Sequence, residues 1–193
     1  GLVMGQERTK DKSNEITAIP ILIQTLNLEG ALVSIDAMGC QREIATKILD
    51  KKADYLLAVK KNQESLYEEI EQAFISQEPI DINVNNSFGH GRIEARTCKI
   101  IKDLKFVDEA IHWKGIKTIV KIESERYIKS NGKTERETRY YISSKDASAL
   151  QFNNYVRGHW AIENNLHWML DVVFGEDFKR KRKGNSAHNM NTL

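Results

Sequence analysis

Residues 1–77 alternate strand-like and helix-like stretches, and that rhythm restricts the fold more than anything else in the chain. Leu2-Val3-Met4-Gly5-Gln6 reads as a short strand and Glu7 to Asn14 as a polar loop. Ile16, Ile19, Ile23 and Leu26 then recur at helical spacing, with Pro20 expected only near the first turn, where its missing N–H has no helical partner to lose. Gly30 stops this helix. Ala31-Leu32-Val33-Ser34-Ile35-Asp36 is mostly apolar, as a central strand buried on both faces is. Ala37-Met38-Gly39 turns, and Cys40 to Lys51 is helical with Ile44, Ile48 and Leu49 inward. Tyr55-Leu56-Leu57-Ala58-Val59 is a further strand, closed by Lys60-Lys61-Asn62, and Gln63 to Ile75 is a helix on Leu66, Ile70 and Phe74. This order predicts an α/β fold with a mainly parallel sheet and helices on its faces.

The rhythm then changes. Glu78 to Gly91 holds Pro79, three asparagines and two glycines and reads as a loop. Ile93–Ile101, Ile116–Ile128 and Glu135–Ser143 read as strands, the last two joined by a hairpin turn at Ser130-Asn131-Gly132-Lys133. A long helix follows from about Ala147 to Phe174, with a break expected near Gly158. The predicted organisation is an α/β part over residues 1–77, an antiparallel β insertion over 78–146, and a final helix with a basic C-terminal segment over 147–193.

Hydrophobic residues make up 40% and charged residues 29%, which fits a globular chain and excludes a disordered one. No apolar run reaches the length of a membrane-spanning helix, and no signal pattern opens the chain, so a cytoplasmic protein without a membrane partner is expected. The cysteines Cys40 and Cys98 lie far apart without metal-ligand spacing, as small packing residues in a reducing compartment would. A net charge of +2 does not announce a nucleic-acid binder. The run Lys179-Arg180-Lys181-Arg182-Lys183 suits either phosphate binding or a solvated tail.

Two carboxylates stand out. Asp36 ends an expected parallel strand, the place beyond which α/β sheets bind ligands, although an aspartate there also caps a following helix. Glu163, His167 and Asp171 recur at i, i+4 and i+8 on the final helix, among Trp160, Trp168 and His159. Carboxylates from separate elements can hold two Mg²⁺ ions, one activating an attacking oxygen and the other stabilising the leaving oxygen of a phosphodiester. An amphipathic helix with a polar edge is the competing reading. No Gly-rich phosphate loop, no Gly-x-Ser-x-Gly elbow and no zinc-ligand spacing is present. In Gly89-His90-Gly91-Arg92-Ile93-Glu94-Ala95-Arg96, strand periodicity turns Arg92, Glu94 and Arg96 to one face, suited to phosphate contact or to ion pairing with Glu94. Trp160 and Trp168 suit either base stacking or a core.

Three blocks together resemble a known family. Ser34-Ile35-Asp36-Ala37-Met38-Gly39-Cys40-Gln41, His90-Gly91-Arg92-Ile93-Glu94-Ala95-Arg96, and Arg157-Gly158-His159-Trp160-Ala161-Ile162-Glu163-Asn164 running on to Asp171-Val172 and Glu176-Asp177 are similar to the ISAs-type insertion-sequence transposases, also called H-repeat-associated proteins. Lys12-Ser13-Asn14-Glu15-Ile16 and Lys60-Lys61-Asn62-Gln63 follow the same pattern, so the resemblance covers nearly the whole chain. It implies a DDE transposase with an RNase H-like core, interrupted by a β insertion before the last acidic helix. Such enzymes use Mg²⁺, with Mn²⁺ as a substitute, to hydrolyse DNA at transposon ends and join the freed 3′-hydroxyl to target DNA. Asp36 would be the second and Glu163 the third acidic residue, both catalytic and metal-binding. Arg92, Arg96, Arg157, His159, Trp160 and His167 are the candidate DNA contacts. DNA and further copies of the protein are the implied partners, in a bacterial, nucleoid-associated setting.

The pattern also departs from the family. Its first acidic residue belongs on a strand ahead of Gly1, and neither Asp11 nor Asp54 takes that role, so the chain is expected to be a fragment without transposition activity of its own. A wider related group carries a Tyr, Arg, Glu, Lys signature on the last helix. Aligned on Glu163, the Arg position holds His159 and the Lys position holds Leu170. A catalytically inactive DNA-binding remnant, an interaction domain that kept the fold, and an RNase H-like nuclease that cuts without joining are the alternatives. If Arg157 and His167 supply the phosphate contacts instead, Arg157→Ala and His167→Ala in the full-length enzyme should weaken transposon-end binding and strand transfer. Unchanged end binding and strand transfer would remove both from the interface.

Overall fold

The computed structural model describes residues 15–89, 92–130 and 132–162. The expected strand at Leu2–Gln6, His90, Glu163, His167, Trp168, Asp171 and the basic run at 179–183 lie outside the described residues. The chain begins with α1 (Glu15–Thr25), β1 (Leu32–Ile35), α2 (Arg42–Asp50), β2 (Asp54–Val59) and α3 (Glu64–Ser76). It continues through β3 (Asp81–Gly89), β4 (Arg92–Ile101), β5 (Thr118–Ile128) and β6 (Lys133–Ser143) to α4 (Ala149–Ile162). All six strands form one sheet, in the order β1-β2-β6-β5-β4-β3.

Period-2 alternation splits the sheet's side chains between two cores. Leu57, Val59, Ile119 and Ile142 pack with Ile44, Ile48, Leu66 and Ile70 of α2 and α3 on one face. Leu56, Cys98, Val120 and Tyr141 pack under Phe152 and Val156 of α4 on the other. The helical spacings of Ile44 with Ile48 and of Leu66 with Ile70 therefore point inward as the sequence predicts. Cys40 and Cys98 are both buried and unpaired, and burial pushes their thiols up to about 12, so they are inert packing groups.

Several expectations are corrected. The two described strands of residues 1–77 pair in parallel and the strands of 78–146 pair antiparallel, as expected of each, but β6 also pairs antiparallel with β2, so the described sheet as a whole is not mainly parallel. The strand ending at Asp36 is half-buried along its length, because β2 is its single neighbour among the described residues. The expected loop at 78–91 is largely strand β3, paired with β4 from Asp81↔Ile100 to Gly89↔Arg92. Asn83 and Asn85 face α4, with Asn153 Nδ2 donating to Asn83 Oδ1 at 2.9 Å, while Ile82, Val84 and Phe88 on the other face are exposed. Alternation is present, but the apolar side is outward, so polarity hid it. Pro20 is the sixth residue of α1, beyond the first turn; the lost hydrogen bond is tolerated because Ala18 and Ile23 are buried and Ile19 packs on the same core. The final helix passes Gly158 without a break. A side chain there would meet open space, so the position carries only the glycine's helix cost of about 1 kcal/mol.

Phe152 is fully buried and fastens α4 to the sheet. Phe152→Ala should destabilise the fold by about 3–5 kcal/mol, read as a fall in the urea midpoint with an unchanged slope.

Candidate nucleic-acid and metal site

β1 and β2 run parallel, so their carboxyl ends open at one sheet edge. Asp36 follows β1 there in extended backbone and caps the 3₁₀ turn Ala37–Gly39: Met38 N and Gly39 N donate to its Oδ1 at 3.2 and 3.4 Å. Capping and exposure coexist, since both bonds fall on Oδ1 and the side chain is solvent-exposed. The turn admits little variation. A Cβ on Gly39 would stand 2.2 Å from Ile35 Cγ2, on a branched side chain fixed by packing. From the end of β2, Asn62 Nδ2 donates to Ala37 O at 2.7 Å and Gln63 Nε2 to Cys40 O at 2.9 Å. These two amides tie down the loop that carries Asp36, and sequence spacing gave no sign of that role.

Beside this loop lies a cleft of about 490 Å³. It exists because β2 stops at Val59, opposite Tyr140, while β6 extends further in the direction of Lys133. Asp36, Lys60, Lys61, Arg139, His159 and Trp160 line it. The structure thus brings together three of the sequence candidates, Asp36, His159 and Trp160. His159 Nδ1 and Ser34 Oγ are hydrogen-bonded at 3.0 Å, which fixes α4 against β1 near Asp36. Trp160 Nε1 donates to Tyr141 OH at 3.4 Å. Arg139, missed in the sequence, lies with its guanidinium 3.6 Å from the Trp160 ring centroid. Its Nε donates to Glu137 Oε1 at 2.6 Å. Tyr141 below is raised in pKa by burial, partly opposed by its hydrogen bond with Trp160 and by the charge of Arg139.

Arg96 and Arg157 meet elsewhere. They line a polar cavity of about 20 Å³ between β3, β4 and α4, together with Glu94, Asn85, Ser87 and Asn154. Arg96 Nη2 bonds Glu94 Oε1 at 2.9 Å, so the ion-paired alternative holds for Arg96 in this state. Arg92 is exposed at the start of β4 and lines neither space.

Mg²⁺ takes carboxylate oxygens and water. Asp36 is such a donor, exposed at the mouth of a space that Lys60, Lys61 and Arg139 make positive on balance against Asp36 and Glu137. Among the described residues no three His, Cys, Asp or Glu side chains gather as a metal-binding group. Among the described residues no helix is long and apolar enough to cross a membrane.

Comparison with known proteins places the chain in a family. The family described as "Transposase DDE domain" matches residues 1–193. The protein of Escherichia coli O157:H7 named "Putative transposase YncI" is 47% identical over 198 residues, covering 97% of this chain and 50% of that protein. "H repeat-associated putative transposase YhhI" of Escherichia coli strain K12 is 43% identical over 195 residues, covering 96% and 51%. "Putative protein YbfL" of the same strain is also 43% identical over 195 residues. The chain belongs to the transposase DDE domain family, and its likeness to H-repeat-associated proteins, first drawn from residue blocks, is borne out. It spans about half the length of the curated relatives it matches. No solved structure matches it.

Gly39→Ala should cost about 1–3 kcal/mol, because Ile35 must leave its packed position. An urea titration that shows no loss would mean the turn relaxes freely around Asp36.

Proposed function

We propose that this chain is part of the catalytic core of a transposase that cuts DNA at the ends of an insertion element and joins the freed 3′-hydroxyl to target DNA. The single observation that carries the reading is the position of Asp36, in a chain of this family. It is an exposed carboxylate at the carboxyl end of a parallel strand, beside a cleft walled by Lys60, Lys61 and Arg139. In this reading residues 1–77 and 147–193 belong to an RNase H-like core, and 78–146 are an insertion whose strands extend the same sheet.

Mg²⁺ ions, replaceable by Mn²⁺, would activate the attacking oxygen and stabilise the leaving one when bound. Asp36 would hold the metal through a carboxylate oxygen while Oδ1 keeps the turn capped. Glu163, four residues after His159 in sequence, is the proposed partner ligand on the strength of the family resemblance. The protein's remaining work is electrostatic: Lys60 and Lys61 attract the phosphodiester, and His159 docks α4 against β1. Arg96 and Arg157 form a second contact point on the other flank of α4, with Arg92 further out on β4 and His167 on the same segment as Glu163. DNA is the proposed partner, with a second copy of the protein to bring two ends together.

In the complete protein, Asp36→Asn should lower metal-dependent cleavage of element-end DNA by at least about a hundredfold while DNA binding in metal-free buffer persists. Undiminished cleavage by the variant would overturn Asp36 as a metal ligand.

A further inference from the structure

In β6, Glu137, Arg139 and Tyr141 share one face by strand periodicity, the face that Tyr141 buries beneath α4. Tyr140 is the last β6 residue opposite β2, and Arg139 is the first beyond it. Arg139 therefore stands on the overhang that makes the cleft floor. It pairs on its other side with Ile122 of β5, so its backbone is fixed. Its side chain is 28% exposed, and three groups define its place: the Trp160 ring 3.6 Å away, Glu137 Oε1 at 2.6 Å, and the hydroxyl of Tyr141.

We infer that Arg139 is a phosphate-binding residue of the cleft, held on the face of Trp160 as a platform and covered in the free protein by Glu137 as a stand-in anion. The inference rests on the reading that the cleft binds DNA. Arg139 is partly buried at the cleft, with the Trp160 ring on one side and a partner carboxylate open to solvent. Its guanidinium carbon stands over the indole, 3.6 Å from the ring centroid, which shields one side of the cation from water. Its carboxylate partner is 53% exposed, and such pairs are weak enough to be exchanged for another oxyanion. The two non-bridging oxygens of a phosphodiester can accept paired hydrogen bonds from a guanidinium, as the two oxygens of a carboxylate can. Lys60 and Lys61 stand at the same cleft and add charge without fixed geometry.

Trp160 is then a positioning residue. The face that Arg139 covers is unavailable for a base, and its N–H is directed at Tyr141. Removing it should reduce binding by freeing the guanidinium, not by removing a charge.

The test is binding of the purified chain to mixed-sequence duplex DNA in metal-free buffer, across a series of salt concentrations. Arg139→Ala should weaken binding about tenfold at low salt and lower the salt slope by about one. Arg139→Lys should keep the slope and lose affinity. Glu137→Gln should tighten binding, since the competing anion is gone. Trp160→Leu should weaken binding with the slope unchanged, and Trp160→Phe should recover part of the loss. Circular dichroism of each variant separates these effects from unfolding. If the unsubstituted chain binds with a steep salt dependence and Arg139→Ala leaves affinity and slope unchanged, Arg139 is structural and this inference alone is overturned. Weaker binding by Glu137→Gln overturns it as well. No salt-dependent binding by the unsubstituted chain overturns both this inference and the DNA-binding reading beneath it.

Discussion

The pairing of β2 with β6 is the joint on which the rest of the structure depends. Over four residues it links the parallel pair β1–β2 to the antiparallel meander of β3 to β6. The parallel pair and the meander form one sheet, with a core on each face, only because this register holds. At its outer end the backbone would run out of strand partners as β6 turns toward α4. Two buried serines carry the bonding on: Tyr55 O accepts from Ser143 Oγ at 2.6 Å and from Ser144 N at 3.3 Å, and Tyr55 N donates to Ser144 Oγ at 3.0 Å. Ser144 Oγ donates onward to Asp54 Oδ1 at 2.9 Å, and Lys145 Nζ reaches Asp54 Oδ2 at 3.0 Å. Burial alone would raise the Asp54 carboxyl, but these hydrogen bonds and the Lys145 charge lower it on balance. The carboxylate is thus held ionised where it secures the joint.

That register also sets the chemistry. A slip of one residue would carry Glu137, Arg139 and Tyr141 from the α4 face to the α3 face and bring Tyr140 and Ile142 the other way. The buried polar and apolar groups of both cores would then be mismatched, which is why the register is specified strongly. The length by which β6 overruns β2 follows from it, and so does the cleft. Asp36 is set by a separate device, the amides of Asn62 and Gln63 reaching across from the end of β2. Strand β2 therefore governs both walls: its C-terminal turn fixes the acid, and its end exposes the base of the cleft.

Much of this was legible in the sequence wherever one period ruled a segment with a buried face. The helices on Ile44 and Ile48 and on Leu66 and Ile70, the strand at 55–59 and the hairpin at Gly132 (φ +65°) all have their local chemistry written in them. Asp36 at a strand end was legible for the same reason. What escaped was set by long-range contact. Strand β3 turns Asn83 and Asn85 to α4 and its apolar side chains to solvent, so composition points to a loop. Strand direction is legible within each part, parallel in 1–77 and antiparallel in 78–146, but the β2–β6 pairing that joins them into one sheet has no local signal. Gly158 signalled a break that α4 does not need, because the packing of Phe152 and Val156 outweighs one glycine. Arg139 carried a face in its period but no hint of the overhang, since that depends on where another strand ends.

Helix α4 ties the two polar spaces into one geometry. Asn154 and Arg157 reach the cavity beside β3 and β4, while His159 and Trp160 reach the Asp36 cleft. Because these four residues lie within two turns of one helix, their spacing is fixed by backbone hydrogen bonds and not by loop conformation. His159 is bonded to Ser34 on β1, two residues before Asp36, and Arg157 shares its cavity with Arg96 on β4. A ligand that touches both spaces must therefore span from one end of the sheet to the other across this helix. Charge placed at Arg96 and Arg157 therefore stands at a set distance from the carboxylate of Asp36, held by the helix and not by a loop.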